Sequence, residues 1–375
     1  MSDSHSHQAF GYFRPGDDPG QRRFAEVGTV DLERGGALPG VVVAYETWGE
    51  LNAARDNAVL VEHALTGDTH VAGPAGAGHP SVGWWDGLVG PGRALDTDRY
   101  FVLCANVLGG CQGTTGPSSI APDGAPWGSR FPYVTIRDLV HVEARLADHL
   151  GIERFHAVVG GSMGGMRALE WAVGRGDRLG TAVVLASTAH ATAEQIAWCQ
   201  PQLLAIRHDP DFYGGDYYAR ARGPEAGLGI ARRIAQVTYR SERELQERFG
   251  RREQDERSRL GGGGRFAVES YLDHHAGKIV GRFDPNSYLV LTEAMSSHDV
   301  GRERGGLTTA LRGVQPRVVT ASVSSDRLYP PRLSREIASS VPRGSCASIE
   351  SSHGHDGFLI ETAQVEAVLR GALED

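Results

Sequence analysis

The sequence contains few cysteines and no long hydrophobic run. Its four cysteines are scattered, without a C-x-x-C pair or a metal-binding spacing, which indicates free thiols in a reducing compartment and predicts no metal centre. No apolar run approaches the roughly 18 residues that a membrane-spanning helix needs. The polar segment 1–20 lacks the hydrophobic core of a signal peptide. We therefore expect a cytoplasmic protein that has no membrane partner.

Positive charge is also in deficit. The chain has 46 acidic residues against 38 lysines and arginines, and its net charge is -8 at pH 7, so no nucleic-acid partner is expected. Hydrophobic residues make up 40% and charged residues 22%, as in an ordinary globular protein. A length of 375 residues is sufficient for one large domain or two modest ones with a buried core.

Strand-like and helix-like segments alternate along most of the chain. Thr135 and Asp138 predict the capped start of a helix that continues to about residue 150. Apolar runs bounded by turn residues predict strands at 41–47, 58–61, 100–107, from 155, 182–186, 317–323 and 346–349. This alternation predicts an α/β fold with a mostly parallel sheet covered by helices on both faces. We assign residues 21–188 and 306–375 to this domain and residues 1–20 to a flexible N-terminus.

The composition changes between residues 189 and 305. Arginine, glutamate and glutamine become frequent, and amphipathic patterns at 227–239 and 242–249 predict helices. A glycine run at 261–264 predicts a flexible break. We interpret the whole segment as a helical insertion that covers the sheet as a lid.

One pentapeptide carries a recognisable catalytic pattern. Gly160-Gly161-Ser162-Met163-Gly164 matches G-x-S-x-G, the nucleophile elbow, in which a serine occupies a sharp turn between a strand and a helix. Small residues on either side let the two elements pass closely. The helix N-terminus also favours negative charge that develops near the serine. A glycine-rich turn with an incidental serine is the alternative, but the predicted strand and helix around it favour the elbow.

A nucleophilic serine needs a base, and the base needs a carboxylate to orient it. In α/β hydrolases the carboxylate and then the histidine follow the serine along the chain. Two predicted strands remain after the insertion, and they end near Asp326 and near His355. Because ligand sites of open α/β sheets lie at the carboxyl ends of the strands, we expect Asp326 and a histidine of the last strand end, His355 or His353, to complete a triad with Ser162.

Three other residues compete for roles in this site. His353 is two residues from His355 and is an alternative base. His63 precedes the serine, in the loop where α/β hydrolases complete their oxyanion hole, and we interpret it as structural. Cys111 has no basic neighbour in sequence that would lower its pKa, so a buried thiol is favoured over a nucleophile.

Eight segments together resemble one family from about residue 10 to the C-terminus. They are residues 45–51 (YETWGEL), 63–68 (HALTGD), 83–86 (GWWD), 106–117 (NVLGGCQGTTGP), 160–166 (GGSMGGM), 287–294 (SYLVLTEA), 325–330 (SDRLYP) and 354–359 (GHDGFL). In this combination and order the chain resembles the homoserine O-acetyltransferases, which have the α/β-hydrolase fold. Two local departures are Glu62, where a small or apolar residue is usual, and Ser352-His353, where an aromatic approach is usual.

The resemblance implies roles for individual residues. It implies Ser162 as nucleophile, His355 as base in preference to His353, and Asp326 as its partner. Arg232 and Asp356 would hold the amino-acid substrate, because a guanidinium pairs with an α-carboxylate and a carboxylate with an α-ammonium. The N–H groups of Leu65 and Met163 would form the oxyanion hole.

The resemblance further implies transfer of an acetyl group from acetyl-CoA to L-homoserine in methionine synthesis, by a ping-pong reaction through an acyl-serine. Acetyl-CoA would be a co-substrate, with no cofactor and no metal, and the enzyme would be a homodimer joined through the lid helices. Alternatives that stay open are a succinyl-CoA donor, serine or a deacetylated antibiotic precursor of the deacetylcephalosporin type as acceptor, and a plain serine esterase. A non-catalytic binding protein would be expected to lack a triad residue, and all three are present.

Overall fold

One eight-stranded sheet forms the centre of the protein. The computed structural model describes residues 11–254 and 264–374. The strands are β1 (Arg23–Asp31), β2 (Ala37–Trp48), β3 (Ala58–Glu62), β4 (Phe101–Ala105), β5 (Phe155–Gly161), β6 (Leu179–Leu185), β7 (Arg317–Val323) and β8 (Gly344–Ile349). Their order is β1-β2-β4-β3-β5-β6-β7-β8. From β4 to β8 all neighbours are parallel, whereas β2 is antiparallel to both β1 and β4, so the predicted mostly parallel sheet is confirmed.

The sheet is buried on both faces because its central strands are mostly apolar. All five residues of β3 are buried, as is usual for parallel strands covered on both sides. Neighbouring side chains of a strand point to opposite faces, and accordingly Leu60 packs in one hydrophobic cluster while Val59 and Val61 pack in the other. Helices cover the two faces of the sheet. Because the strands from β4 to β8 are parallel, their carboxyl ends lie at one edge.

The helices surround this sheet and fill the segment between β6 and β7. They are α1 (Ile136–His149), α2 (Met163–Gly174), α3 (Ala193–Arg207), α4 (Glu225–Tyr239), α5 (Glu242–Arg248), α6 (Ala267–Val280), α7 (Pro285–Ser296), α8 (Leu307–Arg312), α9 (Pro331–Ser340), α10 (Gly357–Ile360) and α11 (Thr362–Leu373). The predicted start of α1 is confirmed, because the Thr135 and Asp138 side chains form a reciprocal capping box.

Strand β1 was not predicted from the sequence because its alternation of buried and exposed residues is interrupted. Its pairing with β2 shifts register on both sides of Gly28, where the backbone has a φ of 79°. A bulge of this kind moves later side chains to the other face, so Val27 and Val30 are both buried although three positions separate them.

The segment between β6 and β7 is helical where the structure describes it. Helices α3 to α8 lie there, and α3 to α7 fall within the predicted insertion 189–305. The helices predicted at 227–239 and 242–249 correspond to α4 and α5. A single bridge between His190 and Asp299 brings the two ends of the segment together. Whether the segment acts as a lid stays a prediction. Most of the glycine run predicted to be flexible, and residues 1–10 of the predicted flexible terminus, lie outside the described residues.

Within the described ranges, no helix combines the length and the apolarity needed to cross a membrane.

Candidate active site

Ser162 lies between the end of β5 and the start of α2, in a conformation that side chains rarely adopt. Its φ is 58° and its ψ is -122°, a strained region that is populated mainly at functional turns. The Ser162 N–H donates to the carbonyl of Leu185 at 3.0 Å, and the Ser187 hydroxyl donates to the Ser162 carbonyl at 2.8 Å. Both backbone groups of the serine are therefore held by the next strand and its loop.

The glycines of the motif permit a contact that no larger residue would allow. A Cβ at Gly160 would lie 2.4 Å from the backbone of Gly164, and a Cβ at Gly164 would lie 2.1 Å from the carbonyl oxygen of Glu62. The nucleophile turn thus touches the end of β3 directly. The elbow geometry predicted for residues 160–164 is present.

His355 and Asp326 meet at the carboxyl ends of the last two strands. The distance from His355 Nδ1 to Asp326 Oδ2 is 2.7 Å, and both residues are buried. The other carboxylate oxygen, Oδ1, accepts hydrogen bonds from the N–H groups of Leu328 and Tyr329 at 2.8 and 2.9 Å. Since a carboxylate only accepts, His355 Nδ1 carries a proton and Nε2 is the nitrogen left for a substrate.

Burial and the carboxylate act in opposite directions on the pKa of His355. Burial disfavours the imidazolium and lowers the pKa, but the charge and hydrogen bond of Asp326 outweigh it, so the pKa lies above its ordinary value. The ring is enclosed by three aromatic side chains, Tyr329, Tyr239 and Phe358, with ring centroids 4.9, 5.8 and 5.4 Å away. The imidazole is therefore both oriented and desolvated.

A cavity of about 190 Å³ brings Ser162 and His355 to one place. It is lined by Ala64, Leu65, Thr66, Gly67, Trp84, Ser162, Arg232, Tyr239, Arg282, His355, Asp356, Phe358 and Leu359. In the described structure the Ser162 side chain interacts with the hydroxyl of Tyr329, and no hydrogen bond joins it to His355. The hydroxyl turns about one bond, and contacts of this kind often tighten only when substrate is bound.

A buried arginine of α2 holds the loop that follows β3. Arg167, on α2, is fully buried and donates to the carbonyl of His63 at 2.6 Å. It also pairs with Glu62 and Glu143 at 2.8 and 2.7 Å. Glu62 thus belongs to a buried ion cluster that joins α2 to the loop that carries Leu65.

His63 is a structural residue, as predicted. Its Nε2 accepts a hydrogen bond from the Val107 N–H at 3.1 Å, and its Nδ1 lies 2.8 Å from the Ala64 carbonyl. Burial, with the nearby charge of Arg167, lowers its pKa to about 3, so the ring is neutral and fixes the loop. Met163 begins α2, where the first N–H groups have no acceptor within the helix, and it follows Ser162 directly.

Arg232 and Asp356 both line the cavity, on elements from different parts of the chain. The Arg232 guanidinium lies over the ring of Tyr239, 5.4 Å from its centroid, and has no ion pair within the described residues. Asp356 follows His355, and its Oδ2 lies 3.1 Å from Nη2 of Arg240. Burial raises the pKa of Asp356, against the opposing charges of Arg240, His355 and Arg232.

The competing residues lie elsewhere. His353 Nδ1 is 3.3 Å from Glu244 of α5, so this histidine contacts the helical segment rather than Asp326. Cys111 is buried, accepts a hydrogen bond from the Asp284 N–H at 3.5 Å, and has a pKa raised by burial. It is the buried thiol that the sequence favours.

Four residues of the site escape the sequence argument. Tyr329 lies inside the matching segment 325–330, so its signal was present. Tyr239 ends the predicted helix 227–239, and Arg240 follows it, but neither belongs to a pattern that points to chemistry. Arg282 lines the cavity and pairs with Asp68 at 3.3 Å, and its position in the sequence gives no indication of this.

Comparisons with known proteins agree with this geometry. Residues 57–361 match the family described as alpha/beta hydrolase fold, which defines the class of protein. A homoserine O-acetyltransferase of Thermobifida fusca (strain YX) is 59% identical over 368 residues, which cover 97% of this chain and 97% of that protein. A homoserine O-acetyltransferase of Mycolicibacterium smegmatis is 52% identical over 358 residues, covering 95% and 93%. The chain therefore belongs to the homoserine O-acetyltransferase family.

Solved structures are similar across nearly the whole chain. A homoserine O-acetyltransferase from Bacillus anthracis superimposes with a TM-score of 0.88 at 28% identity, covering 94% of this chain and 97% of that one. Esterase E22 superimposes with a TM-score of 0.86 at 27% identity, covering 94% and 99%. The same backbone thus occurs in proteins with transferase and with esterase names.

Proposed function

We propose that this protein transfers the acetyl group of acetyl-CoA to the hydroxyl of L-homoserine through an acetyl-Ser162 intermediate, as a step of methionine synthesis. The observation that carries the proposal is the pairing of two kinds of chemistry in one cavity. Ser162 and the Asp326-bound imidazole of His355 suit acyl transfer. Arg232 and Asp356 suit the α-carboxylate and α-ammonium of an amino acid.

In the first half-reaction, Ser162 attacks the thioester carbonyl. His355 Nε2 takes the serine proton, and the imidazolium is stabilised by Asp326. The developing oxyanion accepts hydrogen bonds from the N–H groups of Leu65 and Met163. When the carbon–sulfur bond breaks, the CoA thiolate takes the proton from His355 and leaves acetyl-Ser162 behind.

In the second half-reaction, the hydroxyl of homoserine attacks the serine ester. His355 Nε2 takes the hydroxyl proton and returns it to Ser162 when the ester bond breaks. Arg232 and Asp356 would hold the two charged ends of the amino acid, so that its hydroxyl lies near the acyl carbon. A cavity of about 190 Å³ is small beside the roughly 300–1,000 Å³ of sites for drug-sized ligands, which favours a small acceptor.

The helical segment would act as a lid in this reaction. Helix α4 supplies Arg232 and Tyr239 to the cavity wall, so the residues that bind the acceptor also close the site. Exclusion of water would let acetyl-Ser162 react with homoserine rather than hydrolyse.

A plain esterase is the second candidate, favoured by the structural similarity to esterase E22 and to an acetylester hydrolase from Corynebacterium glutamicum, whose TM-score is 0.82 at 28% identity. An esterase needs Ser162, Asp326 and His355 but has no use for Arg232 and Asp356. Succinyl-CoA as donor, or serine or a deacetylated antibiotic precursor as acceptor, would use the same triad.

The test is a rapid-mixing experiment in two stages. Acetyl-CoA alone should release about one CoA per chain in a burst and add an acetyl group that intact-mass spectrometry detects. A homoserine chase should then remove the acetyl group and yield O-acetylhomoserine. Loss of the acetyl group to water at the same rate with or without homoserine would establish the esterase instead. Parallel reactions with succinyl-CoA and with serine decide the donor and the acceptor.

The proposal includes a homodimer formed through the lid helices, in the cytoplasm. Apolar side chains are exposed on two helices of the segment: Ile196, Trp198 and Leu204 on α3, and Ile230 on α4. Groups of exposed apolar residues of this kind often mark an interface. Free thiols, as found for all four cysteines, persist in reducing compartments. Analytical ultracentrifugation of the parent and of Trp198→Glu would test the dimer.

A further inference from the structure

Three buried residues outside the catalytic cavity form a cluster of metal-ligand type. Glu46 lies near the end of β2, and His70 and His79 lie in the loop between β3 and β4. Each offers one ligand atom, and these atoms all lie within 4.8 Å of one another. None of the three residues is more than 4% exposed, and none lines the cavity of Ser162.

The bonding within the cluster leaves its charge incompletely balanced. His70 Nδ1 lies 3.0 Å from Glu46 Oε2, and His79 Nε2 lies 3.6 Å from Glu46 Oε1, which also accepts the Thr69 hydroxyl at 2.5 Å. No arginine or lysine forms an ion pair with Glu46 in the described part of the chain. A buried carboxylate is costly unless a cation or hydrogen bonds compensate its charge, and a bound metal ion would supply the cation.

Two features favour the metal ion over a simple histidine–carboxylate pair. A pair needs one imidazole, whereas two are stacked here with ring centroids 3.9 Å apart. Each ring also keeps a buried nitrogen, His70 Nε2 and His79 Nδ1, that has no hydrogen-bonding partner among the described residues. These are not the nitrogens that lie near Glu46, but because they make no hydrogen bond they do not oppose the turn of a ring that metal binding requires.

A surface cavity reaches one residue of the cluster. His79 lines a surface cavity of about 380 Å³. The carboxylates of Asp17, Asp18 and Asp68 line the same cavity and outnumber its two guanidinium groups, which belong to Arg22 and Arg282. A divalent cation is therefore not repelled at the entrance.

We infer that Glu46, His70 and His79 form a binding site for a divalent transition-metal ion, for which Zn²⁺ is the best match. Zinc prefers imidazole and carboxylate ligands at about 2.0–2.2 Å, and three protein ligands leave a fourth position for water. The catalytic triad does not depend on this ion. The sequence predicts no metal because the cysteines have no metal-binding spacing. No known motif joins Glu46 to the two histidines, so this cluster gives no signal in the sequence.

Binding requires two local rearrangements. The Gln21 N–H donates to His79 Nε2 at 3.0 Å, and this bond must give way. The two rings are tilted by only 12°, so their nitrogen lone pairs run side by side, and one ring must turn for both to reach one ion. Ligation through His70 Nδ1 moves its proton to Nε2. Because Glu46 belongs to β2 and both histidines belong to the loop after β3, the ion would fasten this loop to the end of β2.

The experiment measures zinc bound by the full chain after treatment with a chelator. Equilibrium dialysis against Zn²⁺, followed by elemental analysis, should give about one tightly bound ion per chain in a His5→Gln/His7→Gln background, which removes the two histidines of the N-terminal tail. His79→Gln should lower the affinity at least about 100-fold, because each ligand is essential to a three-residue site. His149→Gln, which changes an exposed histidine at the end of α1, is the matched control and should bind as the parent does.

Two further measurements complete the test. Co²⁺ should give the intense visible bands of a four-coordinate site in the parent and not in His79→Gln, and Zn²⁺ should raise the Tm of the parent alone. If His79→Gln does not fold, Glu46→Gln keeps the shape of the cluster and should lose binding in the same way. The inference would be overturned if the parent bound Zn²⁺ no more tightly than His79→Gln does. It would also be overturned if His149→Gln lost as much zinc affinity as His79→Gln.

Discussion

Nη2 of Arg240 lies 3.1 Å from Oδ2 of Asp356, and this contact joins the end of α4 to the loop that carries His355. The same loop touches the segment at a second point, because a Cβ at Gly354 would lie 2.6 Å from the backbone N of Ser241. The carboxylate proposed to hold the substrate ammonium is thus positioned by an arginine from the proposed lid. Movement of α4 would disturb the acceptor site and the base together.

The first prediction separates the two half-reactions. Arg232→Ala and Asp356→Asn should still release CoA in a burst from acetyl-CoA, because that step uses Ser162 and His355. Both should turn over homoserine poorly, since a charge-assisted contact contributes roughly 1.5–3 kcal/mol, or about 10- to 150-fold. Single-turnover CoA release followed by a homoserine chase measures both steps.

The matched control for that experiment is Arg233→Ala, on the same helix. Arg233 pairs with Asp273 at 2.7 Å and is part-exposed, and it does not line the cavity. Its two half-reactions should match those of the parent. An equal fall of both half-reactions in Arg232→Ala and Asp356→Asn would refute their role as acceptor-binding residues.

The second prediction concerns the nucleophile. Ser162→Ala should lower acyl transfer by at least about a thousandfold, as expected when a triad nucleophile is removed, and no acetyl adduct should form. The alanine of this variant would have to adopt the same rare backbone conformation as Ser162. A comparison of the Tm of the variant with that of the parent shows whether the fold is kept. Activity within about tenfold of the parent would exclude Ser162 as nucleophile.

The third prediction distinguishes the two neighbouring histidines. His355→Ala should abolish both half-reactions, because His355 is the imidazole 2.7 Å from Asp326. His353→Ala should retain most activity, since His353 contacts Glu244 instead. Steady-state rates of CoA release for the two variants decide between them, and the reverse result would show that the base is His353.

The fourth prediction concerns pH. The base must be neutral to take a proton, and the pKa of His355 lies above its ordinary value, which is about 6.5. The value of kcat/KM should therefore rise with pH through a midpoint above about 6.5. In Asp326→Asn the opposing carboxylate is lost while burial remains, so the residual activity, lower by roughly 10⁴-fold, should have its acidic midpoint at a lower pH. If the acidic midpoint of Asp326→Asn equals that of the parent, Asp326 does not raise the pKa of His355.

The fifth prediction tests the ion cluster beneath the elbow. Arg167→Met would leave Glu62 and Glu143 buried without their cation, and should lower the free energy of unfolding by about 3–5 kcal/mol. Arg243→Ala, which removes an exposed pair with Glu247, should have no measurable effect. Urea unfolding at neutral pH compares the two. Equal stability of Arg167→Met and the parent would mean that the cluster does not hold the loop after β3.

Much of the catalytic centre could be predicted because its determinants are local. The steric need for glycine at position 160 is set by the backbone of Gly164, four residues on, although Gly164 itself is also restricted by Glu62 of β3. Asp326 and His355 each lie in the loop that follows a strand, and the carboxyl ends of parallel strands meet at one edge. Thr135 and Asp138 mark the start of α1 for the same local reason. Strand β1 escaped because the bulge at Gly28 breaks the alternation on which strand prediction depends.

Other contacts depend on how distant segments pack. Glu46, His70 and His79 carry no recognisable spacing and meet only because the loop after β3 folds back over β2. Arg240 reaches Asp356 because the end of α4 lies against the loop after β8, although the two residues are far apart in the sequence. The sequence alone thus determined the elbow, the family, and the order in which Ser162, Asp326 and His355 follow their strands. Only the tertiary structure decided which charged side chains face one another, because the burial that makes those pairings strong is created when the helical segment and the sheet pack together.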